Sequence, residues 1–188
     1  MRIIFITGNK HKMEEAAAIL HDHDVERLDI DLPEIQSLDP EEIITQKLAV
    51  ARERLKTDND VRDTIIMVED VSFWIGDTGL PGPLIKFFNQ TIGRPGLVTF
   101  AHAFGTDKAR ALCCIGILRP GVDTPEFFTG TIEGTVVPPR GESGFGFDPV
   151  FIPDGHTKTY AEMLGDEKNA ISHRKRALEA LEAFLETG

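Results

Sequence analysis

The sequence predicts a mixed α/β domain, and three observations carry that reading. The chain opens with an apolar strand-like run, Arg2 to Thr7, that passes through Gly8 into a Glu- and Ala-rich helical segment. A second such alternation follows, from Val25–Leu32 through a helix start at Asp39-Pro40 to the β-branched run Ile65-Ile66-Met67-Val68. Late in the chain two long strand-like segments, Arg110 to Leu118 and Glu126 to Val137, precede a final amphipathic helix.

The first helix is expected from about Lys12 to His21. A strand, a glycine turn and a helix start gather backbone N–H groups and the positive helix end, which suits an anion, and Lys10 and Lys12 add charge. The spacing is not that of a P-loop. His21-Asp22-His23-Asp24 has metal-ligand residue types, but alternating short polar residues where a helix ends read as solvated. Val25 to Leu32 is expected as the second strand, which places Glu34 at a strand end. Asp39 is the expected N-cap of the second helix, Pro40 its first residue and Glu42 the capping-box partner. That helix runs to about Lys56 with Ile43, Ile44, Leu48, Ala51 and Leu55 on one face and Lys47 at its edge. Thr57 to Asp63 reads as a loop.

The stretch Thr64 to Phe88 organises the chain. Its strand is expected to stop at Glu69 and Asp70. Adjacent acids at the end of a buried strand need compensation, because an unpaired buried carboxylate costs about several kcal/mol. A hard divalent cation compensates well, since Mg²⁺ takes carboxylate and phosphate oxygens. Gly79-Leu80-Pro81-Gly82-Pro83 then turns the chain into a helix carrying Lys86, expected from Pro83 to Ile92. A short helix is expected from Leu97 to Phe104. Arg140 to Pro149 is a glycine-rich loop in which Phe145 and Phe147 alternate with glycines, leading into a short strand from Val150 to Ile152. Lys168 to Arg174 forms a donor-rich run at the start of the last helix, which is expected to reach Glu186 with Ala177, Leu178, Leu181, Phe184 and Leu185 on one face.

Composition narrows the function classes. At 188 residues the chain is expected to be a single domain, 1–188, large enough for a real core. A formal net charge of -11 argues against nucleic-acid binding, which needs a basic face. No apolar run approaches the roughly 18–20 residues of a membrane span, and Met1 to Ile6 is too short for a secretory leader. The two cysteines, Cys113 and Cys114, are neighbours on an expected strand and so face opposite ways, which argues against a disulfide or a zinc site. The expectation is a reduced, cytoplasmic protein.

Read together, the motifs resemble the inosine triphosphate pyrophosphatase family, which hydrolyses ITP, dITP and XTP. They are Thr7-Gly8-Asn9-Lys10-His11-Lys12, Leu32-Pro33-Glu34, Ile44-Thr45-Gln46-Lys47 and Val68-Glu69-Asp70 in the first part of the chain. Gly79 to Lys86, Gly144 to Pro149, Thr159-Tyr160-Ala161-Glu162-Met163 and Glu167 to Arg174 follow in family order. Several details look closer to the eukaryotic branch. The resemblance implies an elongated twisted sheet flanked by helices, two lobes with a central cleft, and a homodimer.

The resemblance also implies roles. Thr7, Asn9, Lys12, Lys47 and Lys86 would hold the triphosphate. Glu34, Glu69 and Asp70 would hold Mg²⁺, with Mn²⁺ as the alternative ion, and Asp70 and Glu69 are the catalytic candidates. Phe145 would stack on the purine, while Phe147, Asp148, Lys168, Ser172, His173 and Arg174 would line its pocket. Lys168, His173 and Arg174 would donate to the 6-oxo group of hypoxanthine or xanthine and leave adenine's amino group facing donors, at about 1–3 kcal/mol per unpaired group. Two positions depart from the family pattern. Val71 stands where Thr or Ser is usual, with Ser72 as the nearest substitute hydroxyl, and Phe147 replaces Trp or Tyr. The alternatives are a pyrophosphatase for another modified nucleotide, which the Ser172-His173-Arg174 run argues against, and a catalytically silent nucleotide-binding protein, which the intact acids and Lys12 argue against.

Overall fold

The computed structural model describes residues 1–56, 61–144 and 146–187. Its sheet is mixed and has seven strands: β1 (Arg2–Ile6), β2 (Asp24–Leu28), β3 (Ile65–Ile75), β4 (Pro81–Gly82), β5 (Lys108–Leu118), β6 (Glu126–Val136) and β7 (Phe151–Pro153). The strand order is β2-β1-β3-β5-β6-β7, with β4 paired to β3. β1 runs parallel to β2 and β3, whereas β4 is antiparallel to β3 and β7 to β6. The helices are α1 (Lys10–Ile19), α2 (Pro40–Leu55), α3 (Ile85–Thr91), α4 (Gly93–Ala103), α5 (Gly165–Asn169) and α6 (His173–Thr187). Among the described residues no helix is long and apolar enough to cross a membrane. Cys113 and Cys114 are both free and buried.

The chain divides into two compact units. The first comprises Met1–Asp70, Cys113–Gly130 and the residues from Arg174 onward; the second comprises Val71–Leu112 and Thr131–His173. In the first unit Ile3, Ile4, Phe5 and Ile6 of β1 are buried, and so are Ile44, Leu48 and Ala51, the expected inward face of α2. Gly116 of β5 explains how closely α2 lies on the strand. A Cβ there would stand 2.1 Å from Ile44 Cγ2 and 3.1 Å from Leu48 Cδ1. The second unit is organised by aromatic rings. Phe73 stacks on Phe147 at 4.3 Å between centroids, and Phe151 meets Phe73 edge-on at 5.4 Å and Phe147 at 6.0 Å. Such offset and edge-on pairs suit the ring quadrupoles.

Several boundaries differ from the sequence expectations. The second strand ends at Leu28, not Leu32, so Glu34 lies in an irregular segment beyond it. Asp29, Asp31 and Pro33 interrupt that run, and Asp and Pro are poor strand residues. The central strand does not stop at the acids. It runs on through Val71-Ser72-Phe73-Trp74-Ile75, strong strand formers, and pairs Phe73 and Trp74 with Gly82 and Pro81. Asp39 caps α2 by accepting from the Glu41 amide at 2.9 Å, but the reciprocal box is absent: Glu42 accepts from Ser37 Oγ, and Ser37 Oγ accepts the Asp39 amide. Helix α4 begins four residues before Leu97. Asp148–Val150 forms a 3-10 turn, so β7 starts at Phe151. Part of the expected loop at 57–63 lies outside the described residues.

Replacing Gly116 with alanine forces Ile44 to move inside a filled core, and overpacking costs about 1–3 kcal/mol. Gly116→Ala is expected to lower the urea midpoint by that equivalent with an unchanged slope; an unchanged midpoint would refute the close α2–β5 contact.

Candidate active site

Helix α1 starts where the chain leaves β1. Asn9 has extended backbone geometry, and its Oδ1 accepts from the amides of His11 at 3.0 Å and Lys12 at 3.4 Å. Thr7 Oγ1 in turn accepts the Asn9 amide at 3.1 Å. The N-terminal amides expected to meet an anion are thus capped by Asn9 itself. What α1 presents is Lys12, one turn along.

Because β3 continues past the acids, Glu69 and Asp70 point to opposite faces of the sheet. Glu69 meets two cations. Arg174 Nε lies 3.0 Å from its Oε2 and Arg174 Nη2 3.0 Å from its Oε1, a bidentate pair, and Lys12 Nζ lies 2.7 Å from Oε1. The side chains of Glu69 and Arg174 are each 2% exposed. Arg174 Nη1 also donates to Glu15 Oε2 at 3.0 Å. Burial alone would raise the Glu69 pKa, but the Arg174 and Lys12 charges overrule it and hold the carboxyl well below the usual carboxylate range. Glu69 was expected at a metal; the structure places its two carboxylate oxygens on Arg174 and Lys12.

Asp70, on the other face, has a different surrounding. Lys47 Nζ lies 3.1 Å from Asp70 Oδ1, 2.8 Å from Glu34 Oε1 and 3.4 Å from the Glu69 carbonyl oxygen. Asp70 Oδ2 is buried and has no hydrogen-bond partner among the described residues. Burial pushes the Asp70 carboxyl up from its ordinary value, with Lys47 opposing and Glu34 assisting. Burial works against the Lys47 ammonium too, but Asp70 and Glu34 outweigh it and raise its pKa. Among the described residues no three His, Cys, Asp or Glu side chains gather as a metal cluster, and His21 to Asp24 form none. The donor set at Glu34 and Asp70 still fits a hard cation: two carboxylates that already share one positive charge, with one buried oxygen lacking a partner.

The second unit holds the other expected residues. Asp148 Oδ2 and Lys168 Nζ are 2.7 Å apart, both largely buried. Lys168 Nζ lies 5.3 Å from the centre of the Tyr160 ring, and His173 stacks on the same ring at 6.1 Å. His173 is also 5.9 Å from Phe147. Ser172 and His173 are buried. Gly144, at φ 80°, is required here, because a Cβ would come within 2.5 Å of Asp148 Oδ2. Phe147 is not a plate on an open loop: it is 5% exposed, inside the aromatic core. Phe145 lies outside the described residues. Lys86 is exposed on α3.

Arg174 was expected among the purine-pocket donors; the structure places its guanidinium on Glu69 and Glu15 in the first unit. Glu15 and Tyr160 were not assigned from sequence. Glu15 sits one turn beyond Lys12, a spacing that places both on one helix face; Tyr160 lies inside the Thr159–Met163 motif.

The buried Glu69 pair sets a pH dependence. A carboxyl whose pKa is lowered on folding contributes stability above its ordinary value, 4.5, and loses it as pH falls from there toward the lowered value. Glu69→Gln strands Arg174 and is expected to cost about 3–5 kcal/mol at neutral pH. In urea unfolding at a series of pH values, the gap to wild type should narrow below pH 4.5; a constant gap would contradict the ion pair.

Residues 3–184 match the model of the Ham1 family. Over 189 residues the chain is 40% identical to inosine triphosphate pyrophosphatase of Schizosaccharomyces pombe (strain 972 / ATCC 24843), covering 98% of this chain and 95% of that protein. Over 193 residues it is 39% identical to inosine triphosphate pyrophosphatase of Batrachochytrium dendrobatidis (strain JAM81 / FGSC 10211), covering 98% and 94%. Among solved structures, the Staphylococcus aureus Ham1 protein superposes with a TM-score of 0.81 at 26% identity over 99% of both chains. A nucleoside-triphosphatase, dITP/XTP pyrophosphatase, from Mycobacterium abscessus superposes with a TM-score of 0.69 at 25% identity, over 96% of this chain and 98% of that one. A match over nearly the whole length to family model, named relatives and solved folds alike means that the chain belongs to the Ham1 family.

Proposed function

We propose that this protein hydrolyses the non-standard purine nucleoside triphosphates ITP, dITP and XTP to the nucleoside monophosphate and pyrophosphate, and so clears them from the nucleotide pool. The observation that carries the reading is the Asp70–Lys47–Glu34 group, with its unpartnered buried oxygen, in a chain whose near-full-length relatives are named inosine triphosphate pyrophosphatases.

In this reading Glu34 and Asp70 would hold Mg²⁺ or Mn²⁺, which would supply neutralisation of phosphate charge and polarisation of phosphorus. Phosphoryl transfer of this kind requires positioning and charge neutralisation more than covalent chemistry. Asp70 is the candidate to orient the attacking water and take its proton. Lys12 and Lys47 reach the triphosphate, with Thr7 and Asn9 fixing the start of α1 and Lys86 adding a charge. On the purine side Lys168 and His173 donate toward the 6-oxo group, Asp148 orients Lys168, Ser172 adds a polar edge, and Phe145 is assigned the stacking role. The reading includes a single functional domain acting as a homodimer in the cytoplasm, on the family resemblance; no nucleic-acid partner is proposed for a chain of net charge -11.

The test is pyrophosphate release with Mg²⁺ from ITP, dITP, XTP, GTP, ATP and dUTP. Strong release from the first three with little from GTP and ATP is the expected outcome. Activity centred on another nucleotide would redirect the substrate assignment, and silence across the panel would leave a binding protein. Asp70→Asn is expected to bind ITP near wild-type affinity while kcat falls about a hundredfold or more; normal turnover would remove Asp70 as the base.

A further inference from the structure

Glu69 stands beside the proposed base, yet its carboxylate faces away from Asp70 and is fully engaged. Three observations bear on what it does. Its oxygens are held by Arg174 through two parallel contacts of 3.0 Å each, the fork geometry that fixes a carboxylate in orientation as well as place. Arg174 is itself anchored at its far end by Glu15, at 3.0 Å. Glu69 also meets Lys12 Nζ at 2.7 Å, and the Lys12 side chain is 20% exposed, whereas that of Glu69 is 2% exposed. The arrangement is therefore one-directional: a rigid buried anchor at Arg174–Glu69 and a partly solvated ammonium at its outer end. A lysine carries three donors on four flexible carbons and loses much rotamer entropy when it is fixed. An ammonium already held by a buried carboxylate has a donor left over and less entropy to lose.

We propose that Glu69 is a positioning residue for Lys12 and not a metal ligand, with Arg174 as the clamp that orients Glu69. The geometry pre-organises Lys12 for a phosphate oxygen, which lowers the ordering cost of binding the triphosphate. The inference rests on the pyrophosphatase reading for its substrate and assigns Glu69 and Arg174 roles that reading does not need.

The charge-conserving double variant Glu69→Gln/Arg174→Gln removes one negative and one positive charge, so a loss of binding reports geometry and not net charge. Three results are expected. The Mg²⁺ concentration for half-maximal turnover stays within about twofold of wild type, while KM for ITP rises about tenfold with a smaller change in kcat. In a Lys12→Ala background the same double replacement changes KM by less than about twofold, because its effect passes through Lys12. Glu69→Asp, which keeps the charge and withdraws the carboxylate by one methylene, gives the same pattern in smaller measure and serves if the double variant does not fold by circular dichroism. A rise of about tenfold or more in the Mg²⁺ requirement would place Glu69 on the metal and overturn the proposal, as would an undiminished KM effect without Lys12. Should wild type release no pyrophosphate from ITP, the functional reading fails. The positioning role is then decided by calorimetric binding of inorganic tripolyphosphate in EDTA, where the same roughly tenfold loss, dependent on Lys12, supports it and no loss refutes it.

Discussion

A carboxylate buried in the middle of a strand must be neutralised where it stands, and the first unit is arranged around that requirement at Glu69. Its charge is met by Lys12 from α1 and Arg174 from α6, and Arg174 is met in turn by Glu15 of α1. Two helices far apart in sequence are thus tied to one point on β3. Such a cluster is not an efficient source of stability, since desolvating its members offsets much of their attraction. It is an efficient source of specificity, because any packing that parts the ions leaves a charge unmatched in a low-dielectric interior.

Neighbouring acids on this strand titrate in opposite directions. Glu69, between two cations, is held below the usual carboxylate range, while Asp70, more buried than it is compensated, is pushed above its ordinary value. The alternation of a β-strand makes this possible: adjacent side chains enter separate environments without any change of backbone. One acid is held as an anion between two cations, and the other keeps a buried oxygen with no hydrogen-bond partner among the described residues.

Most of the element order was legible in the sequence because hydrophobic periodicity and capping residues are local signals. Asp39-Pro40 marked α2, and the apolar runs marked β1, β5 and β6. What failed was decided by longer-range pairing. The acids at 69 and 70 looked like a strand terminus, yet β3 continued because its following residues pair with β4 and lie beside β5. Asp29 and Asp31 shortened β2, which left Glu34 off the strand, and it still reached Lys47 of α2. Residue types at the candidate site were legible, but their partners were not. Arg174 looked like one donor among several in a polar run, and nothing local indicated that its guanidinium would turn to a glutamate 105 positions earlier. Likewise Phe147, in a glycine-rich loop, gave no sign that Phe73 would draw it into a core.

That separation has a meaning for biosynthesis. Glu69 leaves the ribosome 105 residues ahead of the guanidinium that clamps it, an interval of about 5–20 s at ordinary elongation rates. Through that time the carboxylate has Lys12 available but not Arg174, so the first unit cannot close over Glu69 in its final form while the chain is still being made. The contact that fixes the strand becomes possible only once Arg174 has been made, and a transcript truncated before the final helix would yield a protein whose central strand carries an unclamped charge.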